Sequence, residues 1–302
     1  MRRVNTLSTP ISEAFAIFKL NCKAQRYRPS SIQFYDNLLP PFFDWLAAQG
    51  VSQVERVTAH HIRAHLVNKQ IVWKNTEDER EASGHTLHAV ARALRAFFNF
   101  CVAEEWLTVS PMKTVKMPHR PKRILEAYSN AEIKSLLKYA KDDRERTLIY
   151  LLLDTGVRAS ECISLRVSDV KWESNSIYIR NGKGEKDRIV HFGSKTAKHL
   201  IKQMRGKTEK QPIFVSTYTG KALTPNGLTQ ILRRIGKLAK VHCTTHKFRR
   251  TFAINSLRNG MNVYYLAKLM GHEDISILRP YLDILEMDLH AGHEQYGVVD
   301  NL

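Results

Sequence analysis

Apolar residues recur at helical spacing over residues 11–24 (ISEAFAIFKLNCKA) and again over 31–49. The second run is rich in aromatics: Phe34, Tyr35, Phe42, Phe43 and Trp45. The same spacing over 57–70 and 86–105 completes a set of about four helices. Gly50 and Gly84 fall where helices should end or start. Residues 74–85 (KNTEDEREASGH) are polar and read as a loop or a charged helix start.

The pattern then breaks. Residues 110–123 (SPMKTVKMPHRPKR) hold three prolines and five basic residues with no apolar period, which predicts an extended basic linker. Beyond it, SNAEIKSLL carries Ser129 and Glu132 at capping-box spacing. Helical pattern follows over 148–154 and 159–165. Strict alternation in SIYIR (176–180) and DRIVHF (187–192), around the turn NGKGEK, predicts a β-hairpin. Helical spacing returns over 194–205, 226–240, 246–258 and 262–270, with a last segment around 275–290. The expected fold is mainly α with a small β-hairpin or sheet. The expected domains are residues 1–109, a linker at 110–124, and residues 125–302.

Composition narrows the function. The 302 residues are 43% hydrophobic, enough for one large core or two ordinary ones. No apolar run approaches the roughly 20 residues of a membrane span, and MRRVNTLSTPISEAF has no apolar centre to make it a secretory signal. Cys22, Cys101, Cys162 and Cys243 are widely separated, which favours reduced thiols in a cytoplasm. The 47 Lys and Arg against 29 Asp and Glu leave a net charge of +18. Such a surface most often meets a polyanion, nucleic acid first among them. Charge alone supplies phosphate attraction but neither sequence reading nor chemistry.

Four stretches of the second half collect groups that could act on an anion. In TGVRASE, Gly156 ends one helix, and Arg158 and Glu161 sit three apart on the next; the alternative is a surface ion pair. In NGKGEKDR, Lys183 lies between two glycines at the hairpin tip; most such lysines are simply solvated. In TTHKFRR, Thr244 or Thr245 can cap a helix whose first turn carries His246 and Arg249, facing one way, with Phe248 and Phe252 toward the core. In LMGHEDISILRPYLDI, His272 follows Gly271, and Tyr281 stands nine residues later, directly after Pro280. His242 and His246 lack the HExxH glutamate of a zinc helix, and His290 with His293 is no stronger, so no metal is expected. No carboxylate cluster suits two-metal phosphoryl transfer. Cationic donors plus one phenol make an inventory for covalent catalysis on a phosphodiester.

In order and spacing, these four stretches resemble the signature of the tyrosine recombinase (phage integrase) family, over about residues 125–295. The helices of 11–108 are more loosely similar to the family's core-binding domain. The resemblance implies a two-domain clamp, C-shaped around DNA, of the small Xer-like or transposon type, with no room for a further N-terminal domain. It implies that Arg158 and Arg249 hold the scissile phosphate, His246 completes its hydrogen bonds, Glu161 braces the site, and Lys183 protonates the leaving 5′ oxygen. His272 would bond the phosphate or assist the tyrosine, and Tyr281 would form a 3′-phosphotyrosyl bond. It implies no cofactor and no ATP. The partners would be double-stranded DNA with inverted-repeat core sites and a homotetramer, or a second recombinase, acting through a Holliday junction. The place would be the cytoplasm, at the nucleoid. The tail beyond Asp288 would dock on a neighbouring protomer. A type IB topoisomerase-like enzyme and a catalytically weak DNA-binding relative are the competing readings. Ile277, Leu278, Pro280 and Arg250 depart from the common pattern. Pro280 lacks an N–H and disfavours a helical Arg279, so a helix should end before it or restart there, holding Tyr281 at a helix start.

Overall fold

The computed structural model describes residues 8–68, 70–72, 79–119, 126–180, 187–272, 274–279 and 281–282. The chain falls into two compact units, Met1–Arg123 and Ile124–Leu302. The architecture is mainly helical with small antiparallel sheets, as the sequence pattern predicts.

The first unit holds α1 (Ile11–Ala24), α2 (Pro29–Leu38), α3 (Pro40–Ala48), α4 (Ala59–Asn68) and α5 (Gly84–Ala103). The expected single helix over 31–49 is two. Pro40 and Pro41 offer no N–H to the carbonyls a turn earlier, so α2 stops at Leu38 and α3 restarts with proline in its first turn. Helix α5 begins at its cap Ser83, whose side chain accepts from Thr86 N. It buries Val90, Leu94, Phe97, Phe98 and Cys101, one face at 3.6-residue spacing. Phe97 meets Phe15, Phe18, Phe43 and Phe98 in tilted or edge-on contacts. Truncating it to alanine would cost about 3–5 kcal/mol. The stretch 74–85 is not merely loop: β1 (Gln70–Val72) pairs antiparallel with β2 (Glu79–Glu81), Ile71 opposite Arg80. Strands of three residues leave no readable alternation. Past α5, turns seat Met112 and Val115 in the same core.

In the second unit, α6 (Asn130–Lys138) starts with the Ser129–Glu132 capping box. Helix α7 (Asp143–Thr155) is its central rod, burying Leu148, Ile149, Leu151 and Leu152. It packs against α9 (Ser194–Met204) and α11 (Thr245–Arg258), and also touches α6 and α8 (Ala159–Ser164). A short strand β3 (Val170–Lys171) joins the hairpin strands β4 (Ser176–Ile179) and β5 (Arg188–His191) in one antiparallel sheet, Ile177 opposite Val190. The hairpin tip, 181–186, lies outside the described residues. Helices α10 (Pro225–Ala239) and α12 (Val263–Met270) complete the unit. A separate small core of Ala253, Leu257, Leu266, Ala267, Met270 and Leu278 joins α11 to α12. Among the described residues, no helix is long and apolar enough to cross a membrane.

Candidate active site

Helix α7 ends at Gly156, whose φ of 59° is left-handed. A Cβ there would stand 2.2 Å from the Phe252 ring, so glycine is required twice over. The turn lets α8 begin at once, with Arg158 as its N-cap residue. Glu161, three residues on, accepts from the Arg158 backbone N at 2.7 Å and from Arg158 Nη1 at 2.8 Å. The surface-pair alternative fails because Glu161 is only 6% exposed.

A third partner, missed by the sequence reading, explains why that carboxylate can be buried. Arg188, the first residue of β5, donates Nη1 to Glu161 Oε1 at 2.9 Å and Nη2 to Oε2 at 2.7 Å. Burial would push the Glu161 carboxyl up. The Arg188 fork, the Arg158 amide and the two positive charges outweigh that and hold it down at about 2. A signal for Arg188 was present. It shares a strand face with Val190 and Phe192, both buried, so its side chain points inward.

The three arginines share one further anchor. Helix α12 ends at Gly271, φ 65°, leaving its last carbonyls without helical partners. Arg188 Nε donates to Leu269 O at 2.7 Å, Arg249 Nη2 to Met270 O, and Arg158 Nη2 to Gly271 O at 3.2 Å. Three consecutive carbonyls at the negative end of a helix thus hold three guanidiniums together against their mutual repulsion. Arg249 also donates Nη1 to Gly156 O. Burial first, then the neighbouring charge of Arg158, draws Arg249 down to about 10. It nevertheless stays protonated at neutral pH.

Helix α11 sets Arg249 by its start. Thr244 caps it, accepting from Lys247 N at 3.2 Å. Phe248 is fully buried, and Phe252 packs against the core of α11 and α12, as expected. His246 and Arg249 differ in burial: Arg249 is buried and His246 exposed. His272, just past Gly271, sets its Nε2 3.1 Å from Arg249 Nη2. A guanidinium only donates, so this bond uses the Nε2 lone pair and puts the ring proton on Nδ1.

After a 3-10 turn, Ile275–Leu278, the backbone becomes helical at Arg279 (φ −49°, ψ −43°) and remains so at Tyr281 and Leu282. Arg279 is helical although a following proline disfavours it, and Tyr281 stands near a helix start as expected. A single helical residue before proline is tolerated where the preceding turn and the buried Leu278 fix the path. Tyr281 is half-buried against the α11–α12 core. Burial raises its phenol above the ordinary value, while the nearby charges of Arg249 and Arg250 pull it down. The structure thus brings Arg158, Glu161, Arg249, His272 and Tyr281 together, with Arg188 added. Lys183, Pro280, His290 and His293 lie outside the described residues. Among the described residues, no group of three His, Cys, Asp or Glu is placed to hold a metal ion.

Comparison with known proteins gives a consistent answer. A model of the phage integrase family matches residues 126–287. Tyrosine recombinase XerA of Saccharolobus solfataricus is 30% identical over 86% of this chain and 84% of its own length. Tyrosine recombinase XerC of Oceanobacillus iheyensis is 28% identical, over 88% and 89%. Among solved structures, a lambda integrase dimer bound to a COC′ core site aligns with a TM-score of 0.72 at 15% identity, covering 91% of this chain and 77% of that one. The fold is therefore shared even where the sequence is not. The chain belongs to the phage integrase family of tyrosine recombinases.

Proposed function

We propose that this tyrosine recombinase performs site-specific DNA recombination through Tyr281, with Arg158 and Arg249 as the phosphate clamp. The observation that carries the reading is the pair of guanidiniums, Arg158 and Arg249, anchored side by side on the end of α12, with the half-buried Tyr281 phenol within electrostatic reach of Arg249. The Tyr281 oxygen attacks the scissile phosphorus. The bond from phosphorus to the 5′ oxygen breaks, and that oxygen takes a proton, which Lys183 supplies. The phenol proton passes to solvent water as the new 3′-phosphotyrosyl bond forms. Arg158 and Arg249 hold the nonbridging oxygens while negative charge gathers there. His246, exposed on the first turn of α11, adds a hydrogen bond to the same phosphate. His272, bonded to Arg249, orients that guanidinium. The bond energy is conserved in the phosphotyrosyl ester, so a 5′ hydroxyl from a second duplex rejoins without ATP.

The DNA is a duplex with inverted core sites, and the assembly is a tetramer of this chain or of this chain with a second recombinase. Support comes from the likeness to a lambda integrase tetramer bound to a Holliday junction, TM-score 0.70, and from the net charge of +18. The test is a covalent trap. Nicked duplexes made from the DNA flanking the gene are incubated with protein in EDTA and run on a denaturing gel. A slow band that needs Tyr281 and survives EDTA is expected. Tight binding to a fragment with no such band would overturn the assignment.

A further inference from the structure

We propose that Arg188 is a positioning residue for the phosphate clamp, fixing Glu161 so that Arg158 keeps N–H groups free for DNA. The proposal rests on the reading of Arg158 as a phosphate ligand.

The hydrogen-bond inventory separates the two arginines. A guanidinium has five N–H donors. Arg188 spends three of them on protein: two on Glu161 and one on Leu269 O. Its side chain is 8% exposed, against 23% for Arg158. Arg158 gives one side-chain N–H to Glu161 and one to Gly271 O, which leaves three for a ligand. The carboxylate decides this division. Parallel two-bond pairing is the favoured geometry between arginine and carboxylate. With Arg188 on both oxygens of Glu161, that mode is closed to Arg158. Removing Arg188 opens it, and the Arg158 fork can turn inward onto Glu161 and away from the phosphate.

The backbone is shaped for this contact. A side chain at Gly271 would meet Arg188 Cδ and Nη1 at 3.2 Å, so the guanidinium lies flat on a bare helix end. Arg188 also ties the start of β5 to the end of α12, five residues from Lys183 in the chain. That second link makes a rival role conceivable, in which Arg188 acts through the hairpin lysine. The two roles are separable by chemistry. When the leaving 5′ oxygen is replaced by sulfur, the thiolate leaves without a proton, and a general acid is no longer needed. The phosphate clamp is needed still.

The experiment measures single-turnover cleavage by full-length Arg188→Met and Arg188→Lys proteins on two nicked duplexes, one ordinary and one with a 5′-bridging sulfur. DNA affinity and thermal melting are recorded in parallel. The expected result is a loss of about thirtyfold or more in cleavage on both substrates, with DNA affinity within threefold of wild type. Lysine keeps the charge but not the fork, so Arg188→Lys should fall nearly as far as Arg188→Met. Arg180→Gln, which breaks the pair with Asp169 beside the same hairpin, should stay within twofold. A loss confined to the oxygen substrate overturns the proposal in favour of the lysine route. Cleavage within threefold of wild type, or a loss matched by lost DNA binding, also overturns it. If Arg188→Met does not fold, Arg188→Lys decides alone. Absence of any Tyr281-dependent adduct from wild-type protein would instead bring down the active-site assignment itself.

Discussion

Replacing Glu161 by glutamine removes one negative charge from beneath three guanidiniums while keeping nearly the same shape. In the wild type the carboxyl is held at about 2 rather than the ordinary 4.5. Each factor of ten in proton affinity is worth about 1.36 kcal/mol, so the ionised form is favoured by about 3 kcal/mol. The group is almost wholly buried, so solvent screening removes little of this. For a unit of this size, each kcal/mol moves the melting temperature by about 2–4 °C. Glu161→Gln should therefore melt roughly 6–12 °C below wild type at pH 7. The pH dependence is a stricter check. Because the folded-state value is depressed, the stabilisation is fully present above about pH 4.5 and is lost as pH falls toward 2. The gap between the two proteins should shrink from about 3 kcal/mol at pH 7 to roughly half of that at pH 3. Urea unfolding followed by circular dichroism across pH 7 to 3 measures it. A melting difference under about 1 °C at neutral pH, or a gap that does not narrow in acid, would refute the electrostatic account.

Gly156→Ala should destabilise the second unit by at least about 2 kcal/mol, since it forces a left-handed alanine and drives a methyl into Phe252; a melt unchanged from wild type would contradict this. Tyr128→Phe removes the oxygen that accepts from Thr244 N at 3.1 Å and donates to His242 O at 3.2 Å, at the start of α11. It should cost about 1 kcal/mol in urea unfolding while leaving cleavage detectable. The raised phenol of Tyr281 predicts that single-turnover cleavage keeps climbing through pH 9. A plateau already reached near pH 7 would count against a burial-raised nucleophile.

What the sequence disclosed, and what it hid, follows from the range of each interaction. The Arg158–Glu161 pair was legible because its members are three apart on one helix. The Ser129 and Thr244 caps were legible for the same local reason. Arg188 was not singled out because its partners lie 27 and 81 residues away, and only its strand face marked it as inward-pointing. The carbonyls of Leu269 and Met270 leave no trace in side-chain sequence at all; Gly271, just past the last helical residue, was the one local hint that they would be open. The β1–β2 pair and β3 were too short to show a period. The break between α2 and α3 could have been read from Pro40–Pro41, but the aromatic run across it matched helical spacing on both sides.

The central claim is that Tyr281 becomes covalently joined to a DNA 3′ phosphate. It is tested most directly by trapping the adduct, digesting with trypsin and nuclease, and sequencing the nucleotide-bearing peptide by mass spectrometry. Trypsin does not cut before Pro280, so one peptide starting at Leu269 carries both Tyr281 and Tyr296. The account predicts a 3′-nucleotide on Tyr281 alone, formed equally well in EDTA. A nucleotide on Tyr296 or any other residue, or one attached through a 5′ phosphate, would contradict it.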